Sequence, residues 1–424
     1  MSKIGRREAL VLSSSLVTSP FLAASARASE GAHVVIVGGG FGGAAAARTL
    51  RRISPEVRVT LITDVKEFST CPFSNLVIAS ERPLESITFG FDKIAASGVD
   101  VIVGRVIALD PVGKCLTLED GQTLTYDRVI LSPGVSLKYG DVPGYSEAAS
   151  TAMPHAWKAG HQTLLLRDQL AAMRQGGTVL MSVPNNPYRC PPGPYERASL
   201  MAQYLKKNNP TAKIIIIDGK DTFSKQALFT EAWESLYPGL ITHVPFADNG
   251  GVLRVDPDAM EIATAFENFE GDVVNIIPPQ RAPDFVLEAG LGGGGEWCSI
   301  DQFTFESVEA PGVHVIGDAA IVGDMPKSGF SASVQGGVCA HVVAALLSGQ
   351  TPDLGVLLNT CYSFVSTNYG ISVAGVYRIN EEGRLKSVAG TGGTSPTGAP
   401  LSIREAEANH AQSWYKNLTS FLFG

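Results

Sequence analysis

The stretch HVVIVGGGFGGAAAARTLRRISPEVRVTLITD, residues 33–64, decides the fold. Val34 to Val37 form a β-branched run suited to a buried parallel strand, and Gly38-x-Gly40-x-x-Gly43 follows at once, leading into an Ala-rich helix over 44–52. Glycines at this spacing permit the tight turn and let backbone N–H groups approach a pyrophosphate at the helix N-terminus, where the peptide dipoles favour negative charge. A second strand is predicted from Arg58 to Ile62. Where such a unit carries a ribose-binding acid, at the end of that strand, this chain has Thr63 with Asp64 beside it, and the sequence leaves open which of the two serves.

Downstream, GVHVIGDAA (residues 312–320) offers a strand from Val313 to Ile316 that ends in Gly317-Asp318. This is similar to the second signature of two-dinucleotide-domain flavoproteins, whose Asp bonds the ribityl chain. Two signatures so far apart favour FAD over NAD, since FAD spans both segments of a split domain. Between them lies GGTVLMSVPNNPYRCPPGPYERASLMAQYLKKNNPTAKIIIIDG, residues 176–219. It supplies a strand (178–183), a helix (195–207) and a strand (213–218) in Rossmann order, but no glycine loop. Pro184, Pro187, Pro191, Pro192 and Pro194 fill the turn instead, and proline has no N–H to offer a pyrophosphate. The expectation is a dinucleotide-type domain without a nicotinamide site, so NAD(P)H is not expected as a partner.

Composition bounds the rest. The chain has 424 residues, is 45% hydrophobic and carries a formal charge of −8, which becomes −11 without residues 1–28. That balance argues against a nucleic-acid partner and is compatible with docking a basic protein. Residues 1–28 read as a twin-arginine (Tat-type) signal peptide: Arg6-Arg7, a Ser-rich apolar stretch, then Ala26-Arg27-Ala28. A soluble periplasmic protein is expected, with no later apolar run approaching the ~18 residues of a transmembrane segment. The cysteines are Cys71, Cys115, Cys190, Cys298, Cys339 and Cys361; without CxxC, CxxCH or paired histidine spacing, neither a metal site nor a haem is expected on this chain. Six cysteines allow fifteen full pairings, and spacing selects none of them. Cys190 occupies the loop where the nicotinamide site would be, a position for redox chemistry.

Seven motifs, CPFSN (71–75), PHAWKAG (154–160), RCPPGPYERAS (189–199), IPPQRA (277–282), MPKSGFSA (325–332), LNTCYS (358–363) and YGISVA (369–374), together resemble the flavoprotein subunit of flavocytochrome c sulfide dehydrogenase, from about residue 33 to SWYKNL near the C-terminus. The resemblance implies an α/β glutathione-reductase-like architecture: two Rossmann-like dinucleotide-binding-type domains plus a C-terminal α+β interface domain. The expected boundaries are FAD segments at 33–150 and 275–350, a Rossmann-like insert at 151–274 and the interface domain at 351–424. The resemblance further implies that Cys71 bonds covalently to the 8α-methyl of FAD, and that Cys190 and Cys361 form a redox-active disulfide. Hydrosulfide would attack this disulfide to give a persulfide and a thiolate. Cys361, expected nearer the ring, would attack flavin C4a. Glu196 is a candidate base for the substrate proton, and Lys327 with the following helix N-terminus is expected to face the flavin pyrimidine. Electrons would pass to a c-type cytochrome subunit that carries haem c. Sulfide:quinone oxidoreductase shares the two FAD segments and the cysteine pair and is the competing reading, followed by a flavin-bearing accessory or regenerating protein of a sulfur-oxidation system.

Overall fold

The computed structural model describes residues 31–424, so the leader expected at 1–28 lies outside the described residues. The opening stretch forms the strand His33–Val37, the helix Phe41–Ile53 and the strand Arg58–Thr63. The first strand is central to a five-stranded parallel sheet, in spatial order 313–315, 128–131, 33–37, 58–63 and 100–103. Its residues are buried throughout, because strands covered on both faces leave no polar alternation. The register aligns Val35 with Thr60 on one side and Val129 on the other. The strand Val313–Val315 joins this sheet from the far end of the chain, so Asp318 arrives beside the glycine loop.

Two glycines here are sterically required. Gly38 has φ +102°, and a Cβ on it would lie 2.2 Å from the Ser132 carbonyl oxygen. A Cβ on Gly43 would lie 1.8 Å from the Gly38 carbonyl oxygen, so this glycine permits close packing of helix on loop rather than ligand contact.

A second parallel sheet has the order 241–244, 213–218, 178–183, 273–276. The strand Val273–Ile276 crosses the boundary expected at 274/275, pairing Ile276 with Ser182 to complete the insert's sheet. After the helix Gly329–Leu347, the chain forms a long antiparallel pair, Leu357–Ser366 with Tyr369–Ile379, extended by Leu385–Ser387, and then the helix Leu401–Leu422. That helix lies directly on the sheet: a Cβ on Gly370 would sit 2.5 Å from the Ala408 nitrogen. Its end reaches back to the first domain, where Phe423 stacks on Phe89 (5.3 Å between centroids) and meets Phe41 edge-on.

Contrary to the expectation from hydropathy, one helix, Gly329–Leu347, is long and apolar enough to cross a membrane by length and composition. Half of its apolar window is buried inside the protein, and Gly336 packs so closely on the first helix that a Cβ would approach the Gly42 carbonyl to 2.2 Å.

Candidate active site

A cavity of about 510 Å³ runs from the glycine loop to the cysteines. At one end stand Gly38, Gly40, Thr63, Asp64 and Glu67; Asp318 joins from the second segment; Cys71, Cys190, Cys361 and Glu196 line the other parts of the wall. Gly43 and Gly317 support this wall without lining it. Gly317 holds φ +72° and donates its N–H to Gln335 Oε1 (2.7 Å), which turns the chain so that Asp318 faces inward.

Cys71 precedes the short helix Ser74–Ile78, and the turn is fixed by Ser74, whose N–H (3.1 Å) and Oγ (2.7 Å) both donate to the Cys71 carbonyl. Thr70 Oγ1 adds a bond to the Pro72 carbonyl (2.9 Å). The Cys71 thiol points towards the Trp157 carbonyl, 3.7 Å away. Cys190 sits in the left-handed region at φ +56°, a conformation uncommon for a residue with a side chain. It is held there by its N–H donating to the Lys327 carbonyl (2.8 Å) and its carbonyl accepting from Gly193 N–H (2.8 Å). The proline-rich turn thus positions a sulfur atom where a nucleotide loop would sit. Gly193 leaves room for it, since a Cβ there would lie 3.0 Å from Cys190 Sγ and 2.9 Å from Trp157. Cys361 lies mid-strand, opposite Val373. All six cysteines are free thiols in this structure.

Glu196, in the first turn of the helix Gly193–Asn208, points into the space between these segments. Its carboxylate accepts from Phe364 N–H (2.8 Å) and Asn75 Nδ2 (2.8 Å). Burial raises its pKa above the usual carboxylate range, opposed by those two hydrogen bonds and by Lys225 and Arg197. Burial also pushes the Cys190 thiol well up, with Cys361 and Glu196 adding to the rise, and it raises Cys361 while Lys225 pulls that thiol down.

Two residues unremarked in the sequence organise the site. Arg197, 2% exposed, donates Nε to Asn75 Oδ1 (3.1 Å), Nη1 to the His155 carbonyl and Asn275 Oδ1 (both 2.9 Å) and Nη2 to the Ala156 carbonyl (2.5 Å). Its guanidinium lies 5.2 Å from the Trp157 ring centroid, so it fixes the loop whose carbonyl meets Cys71. Burial lowers its pKa to about 10, which still leaves it charged at neutral pH. Lys225 is buried beside Cys361. Arg197 falls within RCPPGPYERAS and Lys225 in no motif, but the role of each rests on contacts with distant segments.

Lys327 departs from expectation. The start of the helix Gly329–Leu347 does face the cavity through Ser328, Gly329 and Phe330, but the lysine ammonium turns away. It donates to the carbonyls of Asp318 (2.8 Å) and Ala320 (2.7 Å) and lies 4.0 Å from the Trp297 ring centroid. Burial lowers its pKa to about 8. Its effect on the cavity is through the Asp318 backbone and the carbonyl that holds Cys190.

The cavity fits FAD on its own terms. Besides the glycine cradle, Asp318 Oδ1 is buried with no hydrogen-bond partner, and burial raises the pKa of this carboxyl. A buried acceptor in that state calls for a hydroxyl donor. Trp157 Nε1, also in the cavity wall, is a buried donor with no partner. In the insert, the acid at the end of the second strand, Asp218, is fully buried and already committed: Tyr195 OH (2.6 Å), Lys220 Nζ (2.6 Å) and His243 Nε2 (3.0 Å) surround it.

Comparison with known proteins agrees with this geometry. Residues 32–166 match the pyridine nucleotide-disulphide oxidoreductase family, and the fold is of that type, with two Rossmann-like sheets. Residues 163–278 match the central part of the sulfide dehydrogenase (flavocytochrome c) flavoprotein chain, and 354–423 match the flavin-binding part of flavocytochrome c sulphide dehydrogenase. A flavocytochrome c sulfide dehydrogenase flavoprotein chain of Chlorobaculum thiosulfatiphilum is 57% identical over 45 residues, 11% of this chain and 94% of that one. Mitochondrial sulfide:quinone oxidoreductase of Mus musculus is 23% identical over 76% of this chain and 72% of its own. The solved sulfide:quinone oxidoreductase of Aquifex aeolicus superposes with a TM-score of 0.71 at 16% identity, covering 92% of each chain. The chain belongs to the sulfide-oxidising, FAD-binding flavoproteins of this fold.

Proposed function

We propose that the protein is a sulfide dehydrogenase flavoprotein that oxidises hydrosulfide through the Cys190–Cys361 pair, next to an FAD attached to Cys71, and delivers the electrons to a c-type cytochrome subunit. The observation that carries this reading is the convergence of three cysteines, from segments remote in sequence, on one cavity that also contains the glycine loop and the unpartnered Asp318. FAD, when bound, supplies two-electron acceptance and one-electron release. The chain's residues supply the rest. With the pair oxidised, hydrosulfide bonds to Cys190 as the Cys190–Cys361 bond breaks, and Cys361 keeps the electron pair as a thiolate. Glu196, its pKa raised by burial, then takes the proton that this step leaves on the persulfide's outer sulfur. Arg197 and Asn75 hold that carboxylate and the Cys71 side of the wall in one network. Asp318 and Thr63 or Asp64 would hold the ribityl and ribose hydroxyls.

A further observation supports one of the finer points. The insert's turn is proline-rich and Asp218 is occupied by Tyr195, Lys220 and His243, which leaves no free acid or glycine loop for NAD(P)H. On the last helix Leu418 and Leu422, with Phe423 after them, are buried in the protein, while Phe421 is 44% exposed. A periplasmic site of action is part of this proposal and rests on the leader expected at 1–28. The second reading, a quinone acceptor, draws on relatives such as the Mus musculus enzyme.

Peptide mapping of denatured, non-reduced protein is expected to show FAD mass on the Cys71 peptide and a cross-link joining the Cys190 and Cys361 peptides. Sulfide oxidation is expected with cytochrome c and absent with a soluble quinone analogue; the opposite pattern establishes the second reading. Normal sulfide turnover by a Cys190→Ser variant overturns the mechanism.

A further inference from the structure

Lys225 is a buried cation without an anionic partner. It is 7% exposed, and among the described residues no carboxylate forms an ion pair with it. Its ammonium donates to Ser363 Oγ (2.8 Å) and approaches the carbonyl of Cys361 (3.5 Å). The backbone is committed to this placement. Lys225 holds φ +62°, and its carbonyl accepts from Leu228 (3.0 Å) and Phe229 (3.1 Å) N–H groups to start the helix Gln226–Leu236. A non-glycine residue kept in that conformation, with a charged end taken out of water, costs folding free energy that something must offset.

The ionisable groups whose charge would raise the Lys225 pKa come from four elements: Cys361 from the strand Leu357–Ser366, Glu196 from the helix Gly193–Asn208, Cys190 from the proline-rich turn and Glu407 from the C-terminal helix. Glu407 is engaged by Ser372 Oγ (2.9 Å), Ser395 and Arg404 (3.4 Å). Glu196 has both oxygens occupied by Phe364 and Asn75. Cys190 Sγ lies on the side of Gly193 and Trp157. Cys361 remains, and it is the residue whose backbone the ammonium already approaches.

We propose that Lys225 is the counter-ion of the Cys361 thiolate, a positioning residue that makes Cys361 rather than Cys190 the sulfur that leaves with the electron pair. The inference rests on the hydrosulfide chemistry above. In that step HS⁻ and the disulfide give a Cys190 persulfide and a Cys361 thiolate; one S–S bond forms, one breaks, and the single negative charge moves from hydrosulfide to Cys361. Without Lys225 that charge would form in a buried site with Glu196 as its neighbour. The balance of influences agrees: Lys225 lowers both thiols, but it comes first after burial for Cys361 and last, behind Cys361, Glu196 and Cys71, for Cys190.

The test measures iodoacetamide alkylation of Cys361, followed by peptide mass analysis, in reduced holoprotein between pH 7 and 11. Lys225→Met is expected to move the midpoint up by about one pH unit or more, so that alkylation at pH 7 slows about tenfold. Lys225→Arg is expected to hold the midpoint within about half a unit, since the charge is kept. Superimposable profiles for the wild type and Lys225→Met, with flavin content retained, overturn the proposal. Lys225→Gln serves as a second uncharged variant; should neither uncharged form fold, a shift of a unit or more in Lys225→Arg overturns it, and a retained profile upholds it. The readout needs no turnover. A wild type that fails to oxidise sulfide refutes the functional reading, whereas an unchanged alkylation profile in an enzyme that turns over refutes only the role of Lys225.

Discussion

Replacing Arg197 by Met probes the network that ties Glu196, Cys71 and Trp157 together. The guanidinium makes four hydrogen bonds, and three of the acceptors, Asn75 Oδ1, Asn275 Oδ1 and the Ala156 carbonyl, have no other donor among the described residues. The His155 carbonyl keeps Asn275 Nδ2 at 3.0 Å. Leaving a buried acceptor unsatisfied costs about 1–3 kcal/mol each, a gross loss of about 3–9 kcal/mol. Removing a buried charge relieves its desolvation, and Met restores apolar contact in the same space. The net destabilisation expected is therefore about 3–5 kcal/mol, the range seen when one member of a buried charged network is removed. Lys is not expected to rescue it, because an ammonium cannot span acceptors arranged around a planar fork. The assay is guanidinium denaturation followed by tryptophan fluorescence, with thermal inactivation half-lives as the alternative where unfolding is irreversible. A loss under about 1 kcal/mol refutes the reasoning, because it would mean that the surrounding carbonyls and amides find water or each other without cost.

Other expectations follow from the same geometry. Asp318→Ala, made in a Cys71→Ser background so that no covalent bond retains the cofactor, should weaken FAD binding about tenfold or more, the contribution of one charge-assisted hydrogen bond; equal flavin retention on dialysis refutes it. Glu196→Gln should lower kcat/KM for sulfide by about 100-fold or more, with the loss concentrated where the native carboxylate is ionised; a decrease under threefold excludes a role as base. His155 is buried neutral, with burial and the nearby Arg197 charge lowering its pKa from 6.5 to about 3, and burial lowers His314 as well. Below pH 6.5 the unfolded chain takes up protons at these positions while the folded chain does not, so stability must fall with pH, by about 1.4 kcal/mol per unit for each histidine. The midpoint of urea unfolding measured between pH 7 and pH 5 checks this; a flat curve contradicts it.

The sequence alone determined the nucleotide cradle, because its signals are local. A β-branched run, glycines at fixed spacing and an Ala-rich helix each constrain the backbone within a few residues, and the strand and helix fall where that reading puts them, with helix ends one to three residues longer. The proline-rich turn was legible for the same reason. Cys190 stood out by its place in the proline-rich turn, and Cys71 and Cys361 through the motifs of the resemblance, but the cavity that joins them depends on a parallel sheet closed by residues 313–315 and an antiparallel pair contributed after 357. Only the tertiary structure decided which charges serve that cavity. Lys327, which sequence position points at the flavin, spends its ammonium on the Asp318 and Ala320 carbonyls. Arg197, whose motif gave it no role, and Lys225, which lies in no motif, are buried beside the sulfurs. The physical reason is that a side chain's charge acts through the dielectric and the partners around it, and those are set by segments a hundred or more positions away, whereas a glycine's φ is set by its immediate neighbours.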